Sequence, residues 1–101
     1  MAQIDRIIWS ERAWADIDSI IEYISKDSEY YAKNFATKII NAVELLKIFP
    51  EMGRITPEIG NPAIRELQYK PYRIVYKILE NTVEILTVYH GSRLFDTDLE
   101  E

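Results

Sequence analysis

The chain has no cysteine, one histidine, three glycines and four prolines in 101 residues. Without cysteine there can be no disulfide and no thiolate zinc site, which suits a reducing compartment and points to the cytoplasm. A single histidine with no carboxylate at ligand spacing argues against a bound metal. No phosphate-loop or dinucleotide glycine pattern is present, so no cofactor is expected. Gly91-Ser92 does not form the Gly-x-Ser-x-Gly turn of a serine hydrolase. No run approaches the roughly 18 apolar residues of a membrane span, and charges interrupt the first 25 positions where a signal peptide would be apolar. No membrane partner is expected.

What is present is an ordinary globular composition, 48% apolar and 29% charged. That predicts one domain over residues 1–101 with an acidic C-terminal tail at 93–101. The net charge of −5 argues against a general nucleic-acid binder. The charge is unevenly spread: residues 54–93 hold six Lys/Arg against four Asp/Glu, while the tail adds Asp96, Asp98, Glu100 and Glu101.

Residues 4–9 form an apolar run that predicts a first strand. Ser10 is a suitable helix N-cap, with Glu11 favourable in the positive first turn. Ala13, Trp14, Ile17, Ile20, Ile21 and Ile24 then form a helical stripe, leaving Glu11, Arg12, Asp16, Asp18, Glu22 and Lys26 for solvent. Asp27-Ser28 supplies caps for a second helix running to about Phe49, where Pro50 ends it. A loop at 50–63 holds three of the prolines and two of the glycines. Strands follow at 64–69, 72–78 and 83–90. The order β-α-α-β-β-β predicts an α+β fold, with a helical hairpin on one face of a mainly antiparallel four-stranded sheet.

A two-residue Glu80-Asn81 loop sets Tyr76 opposite Ile85, Lys77 opposite Glu84, Val75 opposite Leu86 and Arg73 opposite Val88. Alternation then places Tyr72, Ile74, Tyr76, Ile78, Val83, Ile85, Thr87 and Tyr89 on the core side. Arg73 and His90 share the opposite face.

Five segments resemble the RelE/ParE superfamily of toxins: Ile-Ile-Trp-Ser-Glu-Arg-Ala at 7–13, Phe-Pro-Glu-Met-Gly-Arg at 49–54, Ile-Arg-Glu-Leu at 64–67, Tyr-Arg-Ile-Val-Tyr at 72–76 and Val-Tyr-His-Gly-Ser-Arg at 88–93. The resemblance implies the toxin of a type II toxin–antitoxin system, held in a hetero-oligomer by a cognate antitoxin. RelE-like members are metal-independent endoribonucleases that cut mRNA on the ribosome, and ParE-like members are binding poisons of DNA gyrase.

In the ribonuclease reading Arg73 matches the arginine against the scissile phosphate, and His90 matches a position of a catalytic histidine. Three features lean away from it: Gly91 follows His90 in place of an aromatic residue, a dense Lys/Arg cluster is lacking, and the isoelectric point is about 4.9. The His-Gly-Ser-Arg and Ile-Arg-Glu-Leu segments are closer to the ParE branch. The expectation is therefore a ParE-like gyrase inhibitor, with the ribonuclease (partners ribosome and mRNA) as the alternative and a non-toxic antitoxin-binding relic as the second. Arg54, Arg65, Arg73 and Arg93 are candidate target- or antitoxin-binding residues. As a surface arginine, Arg73 would pair with Glu66, Glu84 or the acidic tail.

Overall fold

The computed structural model of the chain describes residues 4–92. Strand β1 (Arg6–Trp9) leads into helices α1 (Glu11–Ser25) and α2 (Glu29–Glu44), followed by strands β2 (Arg54–Ile55), β3 (Ile64–Tyr69), β4 (Tyr72–Ile78) and β5 (Thr82–His90). The sheet has five strands in the order β1-β5-β4-β3-β2. The fifth is the two-residue β2 inside the expected loop, paired antiparallel to β3. Among the described residues, only β1 runs parallel to its neighbour, β5. Arg93 and the acidic tail lie outside the described residues.

Both helices begin as the sequence predicts. The Ser10 hydroxyl accepts from the Ala13 amide at 3.0 Å and the Ser28 hydroxyl from the Tyr31 amide at 3.1 Å, each satisfying an orphan donor of a first turn. The α-helical part of the second helix ends at Glu44, earlier than expected. A 3-10 turn at Leu45–Lys47 takes the chain on to Pro50 and buries Leu46. Such tightening gives the last carbonyls partners that an abrupt end would leave without one.

Ala13, Ile17, Phe35, Ile39, Val43 and Leu46 from the helical side meet Ile74, Tyr76, Val83, Ile85 and Val88 from the sheet. A second, smaller cluster lies on the face of the sheet opposite α1 and α2, where Ile64, Val75 and Tyr89 are buried with Ile59 and Leu86 packed against them. Ile59 belongs to the 50–63 loop, which thus crosses this face as a strap. Tyr76 anchors the start of this loop from the other side of the sheet: its hydroxyl donates to the Pro50 carbonyl at 2.7 Å and accepts from the Gly53 amide at 3.0 Å.

The register between β4 and β5 follows expectation only part of the way. Ile78 faces Val83, Lys77 faces Glu84 and Tyr76 faces Ile85, but Val75 then faces Thr87, Arg73 faces Tyr89 and Tyr72 faces His90. One residue, Leu86, has been inserted as a β-bulge. The polar groups around it are satisfied by α1 and its cap. The Ser10 hydroxyl donates to the Leu86 carbonyl at 3.0 Å. The Asp16 carboxylate accepts from the Thr87 hydroxyl and, at 3.2 Å, from the Val88 amide. Asp16, expected in solvent, is half-buried against the sheet.

The bulge overturns the expected distribution of side chains beyond Thr87; Leu86 and Thr87 keep the faces expected of them. Val88 joins the core under the helices and Tyr89 turns to the opposite face. His90 turns with Val88, packing edge-on to Tyr72 with ring centroids 5.6 Å apart. Arg73 and His90 therefore do not share a face.

Candidate functional site

Arg73 stands on β4 and points to the face opposite α1 and α2, where alternation also directs Glu66 of β3 and Tyr89 of β5. Glu66 has a fully buried side chain. An ionised carboxylate in such a place requires cationic partners, and it has two. Arg54 Nε and Nη2 lie 2.8 and 2.7 Å from Glu66 Oε2. Arg73 Nε lies 3.0 and 3.1 Å from the two carboxylate oxygens, and Arg73 Nη2 also donates to Oε1.

The outer edge of the same guanidinium is held by the strap. Arg73 Nη1 and Nη2 donate to Glu58 Oε2 and Oε1 at 3.1 and 3.0 Å, a two-pronged fork. The Arg73 side chain is 12% exposed and that of Glu58 is 36% exposed. Hydrogen bonding from Arg73 holds the Glu58 carboxyl below its ordinary value. Reciprocally, the bonds to Glu58 raise Arg73 above its ordinary value against the opposing effect of burial. The guanidinium carbon also sits 5.3 Å from the centre of the Tyr89 ring. Burial pushes the Tyr89 phenol up to about 12, too high for efficient proton transfer near neutrality.

The other predicted residues separate. His90 is exposed, and its Nδ1 accepts from the Ser92 amide at 3.2 Å, with the Ser92 hydroxyl 2.8 Å away. That is a local strand-end arrangement, on the side of the sheet away from Arg73. Arg65 is a brace for the loop: its Nε donates to the Pro62 carbonyl at 3.0 Å and its Nη1 to the Gly53 carbonyl at 3.0 Å. Arg54 joins Arg73 through Glu66. Arg93 falls outside the described residues. Glu84, expected as a possible partner of Arg73, instead faces Lys77 across the hairpin.

Two residues that matter here carried no signal in the sequence: Glu58, in the site itself, and Asp16, which holds the bulge on the other face of the sheet. Glu58 sits in a loop without periodicity, so nothing in the sequence tied it to Arg73. Asp16 carried no signal beyond a polar position on a helix flank. Among the described residues, no group of three or more His, Cys, Asp or Glu side chains could hold a metal ion. No described helix is long and apolar enough to cross a membrane.

Arg54, Lys70 and Arg73, with Gln68, Pro71, Tyr72 and Gly91, line an open depression of about 230 Å³ beside this cluster. Three cations converge there above a buried carboxylate. Such an arrangement can bind an anionic group. A histidine base is not within it.

Residues 7–95 match the model of the ParE toxin of the type II toxin–antitoxin system parDE. The chain is 32% identical over 90 residues to Toxin RelE2 of Caulobacter vibrioides, covering 88% of this chain and 98% of that protein. Among solved structures, a chain of the chromosomal ParDE toxin–antitoxin system from P. aeruginosa superposes with a TM-score of 0.70 at 21% identity, covering 87% of this chain and 96% of that one. At that identity the superposition speaks for the fold alone, an α+β arrangement in which the same helical hairpin and sheet recur. The family match spans nearly the whole chain, and the similarity to RelE2 spans nearly the whole relative. The chain belongs to the ParE toxin family of type II toxin–antitoxin systems.

Proposed function

We propose that this toxin acts by binding its target rather than by cutting RNA, that the target is DNA gyrase, and that a cognate antitoxin neutralises it in a cytoplasmic hetero-oligomer. The observation that carries the reading is the separation of Arg73 from His90 by the bulge after Ile85. Ribonucleolytic cleavage without a metal needs a base for the 2′-hydroxyl and free cations for the phosphate charge that develops. Here the histidine stands on the other side of the sheet, and the guanidinium is forked by two carboxylates. Arg54 and Arg73 are the residues through which the toxin contacts a partner.

The test is controlled expression, with DNA synthesis and translation followed separately in the same cells. The binding reading expects replication to stop with gyrase-dependent DNA breaks while mRNA stays intact. Arg73→Ala weakens the arrest and His90→Ala leaves it unchanged. Ribosome-dependent mRNA cleavage lost in both variants would overturn the reading. The ribonuclease alternative has one observation in its favour, the convergence of Arg54, Lys70 and Arg73 on one depression.

A further inference from the structure

The apolar residues that follow α2 divide unequally between core and solvent. Leu46 is fully buried, whereas Leu45, Ile48, Phe49 and Met52 stand outward, Ile48 with 67% and Phe49 with 58% of its surface exposed. Ile48, Phe49 and Met52 line an open depression of about 360 Å³ together with Pro50 and Glu51. Its walls are fixed by backbone bonds. The Phe49 amide donates to the Leu45 carbonyl at 2.9 Å and the Met52 amide to the Phe49 carbonyl at 3.1 Å. The Tyr76 hydroxyl ties down Pro50 and Gly53 from the core side. Exposed apolar patches on the order of a few hundred Å² mark interaction sites.

Two charges border this patch. Glu51 is exposed and lines the depression. Arg65 reaches its rim from β3: Nη1 donates to the Gly53 carbonyl at 3.0 Å and lies 3.4 Å from the Glu51 carbonyl, while Nε donates to the Pro62 carbonyl. Neutral carbonyls fix the guanidinium in place and leave its charge uncompensated. Among the described residues, neither the Glu51 carboxylate nor Arg65 has an ion-pair partner.

We propose that this patch is the contact between two copies of the chain, related by a two-fold axis. Such a contact needs a self-complementary surface, in which one residue of each copy meets a second residue of the other. An apolar centre with an unpaired carboxylate and an unpaired guanidinium on its rim meets that need. The Glu51 carboxylate of each copy faces the Arg65 guanidinium of the other, and Ile48, Phe49 and Met52 pack between them. A partner of one charge sign would satisfy one of the two groups and leave the other desolvated without a counter-ion. A stable contact buries about 800 Å² per copy, more than the apolar centre supplies, so the association is weak and reversible. Ile55 and Tyr76 both pair with Arg65, which puts the patch on the helix side of the sheet. Arg54, Glu66 and Arg73 lie on the opposite face, so the dimer displays that cluster twice. The association is independent of the target proposed above.

The experiment is sedimentation equilibrium of the purified chain over a concentration series. The average mass rises from one chain toward two. Phe49→Ser weakens the association about tenfold or more. Glu51→Lys weakens it too, because like charges then face each other, and Glu51→Gln falls between that variant and wild type. Arg65→Glu weakens it from the other side. An equimolar mixture of Glu51→Lys and Arg65→Glu regains association as a heterodimer, in which both facing pairs are again opposite in charge; a Glu51–Arg65 pair within one copy would give no such rescue. Arg65 also braces the strap, so circular dichroism checks the fold of each variant, and Phe49→Ser and Glu51→Lys decide the question if Arg65→Glu does not fold. A chain that stays monomeric throughout, a dimer indifferent to Phe49→Ser, or a mixture of folded variants no better than its components would overturn the proposal. A monomer whose antitoxin complex is weakened by Phe49→Ser would assign the patch to the antitoxin and overturn the choice of occupant.

Discussion

Arg73 and His90 lie on neighbouring strands and on opposite faces of the sheet. An unbroken hairpin ladder would have put them together, and Leu86, one inserted residue, keeps them apart. A bulge shifts the alternation of every side chain beyond it, so this one decides whether the chain's single histidine can serve the arginine site.

Asp16 is the residue that holds the bulge in place, through the Thr87 hydroxyl and the Val88 amide. Asp16→Ala removes a charged acceptor from two donors that lie against the core. The expected loss is about 2–3 kcal/mol of stability in denaturant unfolding. Asp16→Asn, which keeps an acceptor, should recover part of it.

Glu66 holds two arginines from a fully buried position. Glu66→Gln leaves both guanidinium groups without their central counter-ion, and stability should fall by about 3 kcal/mol. Replacing Glu66, Arg54 and Arg73 together with apolar residues of similar volume should cost less than the single change. A single variant as stable as wild type in urea would contradict this.

Glu58 links stability to pH. Its carboxyl titrates below the ordinary value of 4.5 because Arg73 donates to it. A depressed carboxyl stabilises the fold above 4.5, and the contribution disappears as pH falls through the lower folded-state value. The difference in Tm between wild type and Glu58→Gln should therefore be largest near neutrality and shrink below pH 4.5. A gap that stays constant down to pH 2 would refute the link.

Gly53 meets a steric limit. A Cβ there would lie 2.6 Å from the Glu66 carbonyl oxygen and 2.7 Å from the Tyr76 hydroxyl. Gly53→Ala should cost about 1–3 kcal/mol in thermal or chemical unfolding. Tyr76→Phe, which leaves the Gly53 amide and Pro50 carbonyl without their shared partner, should cost a similar amount.

The sequence carried the scaffold because the scaffold is specified locally. Ser10 and Ser28 sit where helices need caps, the apolar stripes recur at helical spacing, and Glu80-Asn81 fixes the hairpin as far as Tyr76 and Ile85. It did not carry the bulge, whose partners Ser10 and Asp16 are more than 70 positions distant in the chain. The strap was legible only as a loop: Ile59 and Glu58 meet the sheet through tertiary contact that no periodicity announces. Glu66 was recognisable as a partner for Arg73 because both fall on one face of adjacent strands. Its second arginine, Arg54, depends on β2, a strand too short to read.

The proposed action, binding without cutting, is tested most directly with purified protein. The chain is incubated with DNA gyrase and supercoiled plasmid, and in parallel with ribosomes programmed with an mRNA. Gyrase supercoiling that falls with toxin concentration, with stabilised cleaved plasmid and intact mRNA, is the predicted result. Cleaved mRNA alongside unimpaired gyrase would contradict it.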